Sequence, residues 1–291
     1  MIKLLALDLD GTTLNSFGTV SAENRLAIRA AEEAGVLVTI ATGRRFRDAR
    51  PIGLELELNA PLISHNGGLL KYSETLATVH CSLLDTETAL EVVSIGREIG
   101  GDALVSVDPH GIGKLLYDRV SEDNIPLRKY IRWAENLHGG VAGREGVEHV
   151  GSLSEAVQQN EVVHISFSGT CARMREVRAT LESEFQGTVT ILATIYEELD
   201  FTLLDILPPD ASKGHGVRHL AELHGFTAEN VMVIGDNFND LEMLEYAGTP
   251  VIMGNADPSL LEQGEFYTTL SNDEHGVADA IERFILNGDK T

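Results

Sequence analysis

The chain has 291 residues, 43% of them hydrophobic, and a formal net charge of −23. That length and apolar content are enough for one large domain or two ordinary ones with packed cores, and they exclude a disordered chain. The charge repels nucleic acid and anionic membranes at long range, so neither is expected as a partner, whereas a small anion can still bind beside a local cation because screening acts over about 8 Å at physiological salt.

The first apolar run, Leu4 to Leu7, is cut by Asp8 and is too short for the core of a signal peptide. No apolar stretch approaches the roughly 18 residues of a membrane helix, so a cytoplasmic location is expected. Cys81 and Cys171 match no metal-ligand spacing and are expected as reduced, packed thiols. Residues 2–7 read as a strand buried on both faces. Ser21 is placed to cap a helix with Leu26, Ile28, Ala30, Ala31 and Ala34 on its apolar side, and Gly35 ends it. Val36 to Ala41 reads as a second buried strand, so the opening is a parallel pair joined by a right-handed crossover. A helix around Phe46 to Leu56 and a strand in "PLISHNGG" extend the pattern.

From about Leu83 the rhythm changes. "DTETALEVVSIGREIGG" reads as a helix, "ALVSVDPHGIGKLLY" as a hairpin turning at Pro109 to Gly113, and "VVHISFSGTCARMREVRATLESEF" as a strand then a helix. This mixture predicts a separate α+β layer. The alternating rhythm resumes with "SKGHGVRHLAELHGF" as a helix, "NVMVIGD" as a buried strand and "NDLEMLEYAG" as a helix. The expectation is a Rossmann-like, doubly wound parallel α/β core formed by residues 1–82 and 190–291, with an α+β domain, residues 83–189, inserted in it.

Four motifs fall at strand exits, which share one edge of such a sheet. In "DLDGT", Asp8 and Asp10 are two residues apart, and two unit charges at about 4 Å repel by roughly 4 kcal/mol at an effective dielectric of 20. Either both carboxylates stay in water as a turn or cap, or a magnesium ion offsets the repulsion; an EF-hand is excluded because Gly11 comes too early and the later ligands are missing. In "ATGR", the Thr42 hydroxyl and Gly43 N–H offer donors to a phosphate oxygen and Arg44 offers a cation, although Thr-Gly is also an ordinary strand exit. In "ASKGHG", Ser212 caps a helix with Lys213 in its first turn, where the helix dipole opposes a cation by up to about 1 kcal/mol. Lys213 is therefore either an exposed lysine or the partner of a nearby anion. "IGDNFNDLEM" puts Asp236 after a buried strand and Asn239 and Asp240 at the next helix start; capping accounts for one of these acids but not for the whole pattern.

Taken together and in order, "DLDGT", "TGR", "SKG" and "GDNFND" resemble the four signature motifs of the haloacid dehalogenase superfamily, in particular its Cof-type phosphatases with a large cap of the C2 type between the second and third motifs. "ISHNGG", "MGNA" and "SNDEHGVADAIERFI" are similar to that branch as well. The resemblance implies that Asp8 is a nucleophile forming an aspartyl phosphate, and that Asp10 is the general acid and base. It implies magnesium held by the Asp8 carboxylate, the Asp10 carbonyl and Asp236, with Asp240 binding through water or standing behind the ligands. Thr42 and Lys213 would bind phosphoryl oxygens, supported by Asn239, and Gly43, Arg44, Asn66 and Gly67 are further candidates for substrate contact. Residues 83–189 would be the cap, which confers specificity.

The implied activity is hydrolysis of small phosphorylated metabolites, sugar phosphates foremost, by a monomer or small homo-oligomer. Two alternatives stay open: a phosphohexomutase of the same superfamily, and a catalytically silent metal- or metabolite-binding regulator. His110 in the hairpin turn is a candidate substrate contact or a loop decoration, His164 is expected in the core, His65 lies nearer the active edge, and Trp133 is expected in the core.

Overall fold

The structure, a computed structural model, describes residues 1–137 and 146–288. In the opening segment β1 (Leu4–Leu7) is buried along its whole length, as its unbroken apolar run requires. Ser21 accepts the Asn24 N–H and starts α1 (Ala22–Glu33), and the chain turns at Gly35 with φ 86°. Asn24, Ala27, Ile28 and Ala31 form the buried stripe of α1, whereas Leu26 faces solvent, nearly half a turn from that stripe. There follow β2 (Leu37–Ile40), α2 (Phe46–Glu55), β3 (Leu62–Ser64), β4 (Leu69–Lys71) and β5 (Thr78–Cys81).

The middle of the chain contains α3 (Thr86–Glu98), β6 (Asp102–Val107), β7 (Lys114–Tyr117), α4 (Ile125–Leu137), β8 (Val147–His149), α5 (Leu153–Gln159), β9 (Val162–Gly169), α6 (Cys171–Glu184), β10 (Thr190–Tyr196) and β11 (Phe201–Leu207). The last part contains α7 (Lys213–Leu223), β12 (Val231–Gly235), α8 (Leu241–Tyr246), β13 (Thr249–Ile252), α9 (Pro258–Gln263), β14 (Tyr267–Thr268) and α10 (Gly276–Ile281). No helix among the described residues is long and apolar enough to cross a membrane.

Residues 1–80 and 212–291 make one unit and residues 81–211 another. In the first unit the main sheet has the strand order β14-β13-β12-β1-β2, all parallel, and β3, β4 and β5 form a small second sheet in which β3 and β4 pair antiparallel. Leu4 and Ala6 of β1 and Val231 and Val233 of β12 pack against Val217 and Leu220 of α7 and Met243 and Leu244 of α8. Leu5, Leu7, Met232 and Ile234, pointing the other way, are equally buried, so both faces are covered. Each such side chain contributes about 1.5–3 kcal/mol by leaving water. The chain winds outward from β1 to β2 and, after the long excursion, from β12 to β13. The switch point therefore lies between β1 and β12, where open sheets of this kind bind ligands.

The second unit is built on a six-stranded sheet of order β10-β11-β9-β6-β7-β8, antiparallel except for β7 and β8. Ala103, Val105 and Val107 of β6 and Ile165 and Phe167 of β9 alternate onto the face covered by α3, α5 and α6. Leu104 and Leu115 face the other way, against Leu127 and Ile131 of α4. The expected boundary between residues 189 and 190 thus moves to 211 and 212. β10 and β11 belong to this sheet, joined to it by the antiparallel ladder of β11 on β9 that pairs Leu204 with Phe167. The predicted hairpin is present as β6 and β7. The Cys81 and Cys171 side chains are half-buried. The Trp133 side chain lies outside the described residues.

Candidate active site

At the switch point two strand ends deliver acids side by side. Asp8 follows β1 and is still held by the sheet through its N–H to the Ile234 carbonyl, 2.9 Å. Gly11, at φ 81°, turns the chain back, and a Cβ there would fall 2.4 Å from Asp236 Oδ2, so only glycine lets the two acidic loops approach this closely. Thr12 Oγ1 donates to Asp236 Oδ1 at 3.0 Å and Thr13 Oγ1 to the Asp8 carbonyl at 2.6 Å.

Lys213 starts α7, capped by the Ser212 hydroxyl, which accepts the His215 N–H. It is buried rather than exposed, and its Nζ donates to Asp8 Oδ1 at 2.6 Å and to Asp240 Oδ1 at 2.7 Å. These two anions are what offsets the unfavourable helix dipole. The other Asp240 oxygen accepts the N–H groups of Asp236 and Asn237, at 2.9 and 3.0 Å, so this fully buried carboxylate fastens the second acidic loop to the lysine.

Asp8, Asp236 and Asp240 each place a carboxylate oxygen within 4.8 Å of the others. Burial raises the Asp8 carboxyl well above the usual range against the pull of Lys213, and the neighbouring Asp240 and Asp236 add to the rise. Asp236 is raised for the same reasons, burial first and Asp240 next. Burial would lower Lys213, but Asp8 and Asp240 overcome it and hold the ammonium protonated well above its usual value. One ammonium does not neutralise three carboxylates, and a hard, all-oxygen donor set with surplus negative charge fits a divalent cation such as magnesium or calcium.

The second strand exit brings Thr42, buried, to the same edge, with its N–H on the Ile63 carbonyl at 2.8 Å and its Oγ1 accepting the Arg44 N–H at 3.1 Å. The turn after β3 carries three successive left-handed residues, His65, Asn66 and Gly67. A Cβ on Gly67 would fall 1.9 Å from the Ser212 carbonyl, so this glycine lets α7 reach the edge. The Asn66 amide lies beside Gly43 and accepts from Asn239 Nδ2 at 3.4 Å. The His65 ring is buried and accepts the Phe46 N–H at 3.3 Å, which makes it a support for the turn.

Asp10 stands apart from the three converging carboxylates. Its side chain is exposed and gripped by Arg44, with Nε 2.8 Å from Oδ2 and the second guanidinium nitrogen on Oδ1. The hydrogen bond to Asp10 raises the Arg44 guanidinium further. Sequence reasoning gave no role to Thr12 or to Asn255, whose Nδ2 donates to the Gly11 carbonyl at 2.8 Å and whose Oδ1 accepts the Asn272 N–H. The first threonine of "DGTT" and the asparagine of "MGNA" were the available signals. In the second unit, His110 is exposed, 3.6 Å from Glu161, and His164 is buried against Asp205 at 2.8 Å, a core position as expected.

The chain is 29% identical to the 5-amino-6-(5-phospho-D-ribitylamino)uracil phosphatase YwtE of Bacillus subtilis, covering 98% of each chain. It is 31% identical to the pyridoxal phosphate phosphatase YbhA of Escherichia coli, covering 89% of this chain and 90% of that one. The crystal structure of a haloacid dehalogenase-like hydrolase from Bacteroides thetaiotaomicron shares 27% identity and superimposes with a TM-score of 0.79 over 98% of this chain and 100% of that one. With the haloacid dehalogenase-like hydrolase model also matching residues 5–281, the chain belongs to that family.

Proposed function

We propose that this phosphoric monoester hydrolase is a magnesium-dependent phosphatase of small phosphorylated metabolites, sugar phosphates foremost, acting in the cytoplasm through an aspartyl phosphate on Asp8. The observation that carries the reading is the buried Lys213 ammonium bridging Asp8 and Asp240, with Asp236 beside them. The metabolite class draws support from a relative whose name specifies a 5-phospho-D-ribitylamino substrate.

Lys213, the Thr42 hydroxyl and the Gly43 N–H bind the phosphoryl oxygens, Asn239 steadies Asn66 at the same edge, and Asn66 and Gly67 face the substrate. Asp8 attacks phosphorus, the bond to the leaving oxygen breaks, and Asp10 protonates that oxygen. Asp10 then takes a proton from water, which attacks phosphorus and frees the Asp8 carboxylate together with inorganic phosphate. Arg44 holds Asp10 until substrate arrives and then reaches the substrate anion. Asp8, Asp236 and the Asp10 carbonyl would hold magnesium, with Asp240 behind them, and the ion would supply neutralisation of charge on the phosphoryl group. Selection of the leaving group is assigned to residues of the second unit.

Phosphate release from a panel of sugar, nucleotide and cofactor monophosphates, with magnesium and with chelator, tests the reading. Release that requires magnesium and is highest for sugar or polyol phosphates is expected. An isomerised ester without net phosphate would make the protein a mutase, and binding without turnover would make it a silent binder.

A further inference from the structure

Away from the carboxylates, the first unit brings three histidines together. His215 and His219 lie one turn apart on α7, at positions i and i+4, so they emerge from one face about 6 Å apart along the axis. His80, on β5, meets that face, its ring centroid 4.3 Å from that of His219 with the planes tilted by 37°. All three are half-buried and open to ions from solvent. Arg218, between the two helical histidines, is directed elsewhere, its guanidinium 5.0 Å from the centre of the Tyr246 ring.

A His-x-x-x-His pair on a helix is a ready chelate for a late first-row dication, and imidazole is the ligand such ions favour over carboxylate. We propose that His80, His215 and His219 form a binding site for zinc or a similar transition-metal dication, distinct from the carboxylate cluster. Partial burial lowers the His80 imidazole, and the proximity of His219 and His215 lowers it further. The His80 and His219 rings must turn about χ2 to aim their nitrogens at a common centre, with water completing the shell. Because α7 begins at Lys213, a metal tying its first two turns to β5 bears on the helix that presents the active-site ammonium.

The test is an equilibrium titration of the full-length protein with zinc in excess magnesium, read by competition with a chromophoric chelator. A parallel cobalt titration is followed in the visible region, where a tetrahedral imidazole centre absorbs. One equivalent is expected to bind. His219→Gln and His80→Gln should each weaken it by at least the roughly 10- to 100-fold that loss of an outer-shell partner costs. His215→Gln should do the same, and circular dichroism of the metal-free variants should match that of the wild type. Asp236→Asn should leave this binding unchanged, since it disarms only the carboxylate cluster. Zinc that binds His219→Gln and His80→Gln as tightly as wild type, that is lost in Asp236→Asn, or that does not bind at all would overturn the site. None of these readouts depends on phosphatase turnover, so the result stands apart from the function proposed above.

Discussion

The two units bury carboxylates in opposite ways. In the second unit Asp102 is buried with neutral donors around it: the Ser121 N–H and hydroxyl at 3.0 and 2.9 Å, and the Asn124 amide at 2.9 Å. Its neighbour in kind, Asp205, is met by His164 and by the Ser166 hydroxyl. In the first unit Asp8, Asp236 and Asp240 crowd one another with a single ammonium between them. A carboxylate whose partners are donors alone is part of the architecture, while carboxylates that also crowd one another need something from outside the chain. Burial alone does not separate the two cases, but the partners do.

The strongest way to break the comparison is Asp8→Asn. Steady-state assays should show turnover abolished, and the thermal midpoint of the metal-free protein should stay the same or rise, because a crowded charge is gone. Retained activity would remove the nucleophile from Asp8. Lys213→Met comes next: leaving Asp8 and Asp240 uncompensated should cost about 3–5 kcal/mol in chelator, measured by denaturant unfolding, and should also abolish turnover. In the second unit, Asp102→Ala should cost about 1–3 kcal/mol by orphaning the Ser121 and Asn124 donors, with phosphate release from a small generic ester unchanged.

The remaining effect is on pH. Asp8 and Asp236 have raised pKa values in the fold, so in chelator their contribution is fully present below the unfolded carboxylate range and is lost as pH rises through the raised values. Stability of the metal-free protein should therefore decline across that interval. Magnesium needs the ionised forms, so its affinity should climb with pH over the same interval and reverse the decline, as calorimetry at several pH values would show.

Much of this arrangement was legible in local sequence. Asp8, Asp236 and Lys213 each sit at a strand or helix end marked by an unbroken apolar run or a serine cap, and those signals lie within a few residues of the side chain concerned. The grip of Arg44 on Asp10 joins two loops through exposed side-chain rotamers, which no pattern encodes. The second boundary was misplaced for a related reason. Only the pairing of β11 with β9 assigns residues 190–207 to the second unit, and no glycine- or proline-rich linker precedes β10 to announce otherwise. Leu26 shows the limit of composition: an apolar residue in an amphipathic helix still faces water when it sits off the stripe.

The central pairing of β1 with β12 joins Leu4 to Val231 across the whole inserted unit, which has a consequence for biosynthesis. At roughly 5–20 residues per second, a ribosome that has made Asp8 takes roughly 10 to 45 seconds more to make Asp236. Throughout that interval β1 is a fully apolar strand with one edge unpaired, the kind of segment that recruits foreign strands. The nascent amino-terminal half should therefore depend on chaperones until the last third of the chain emerges, whereas the antiparallel unit between them can close its own sheet as soon as β11 is made.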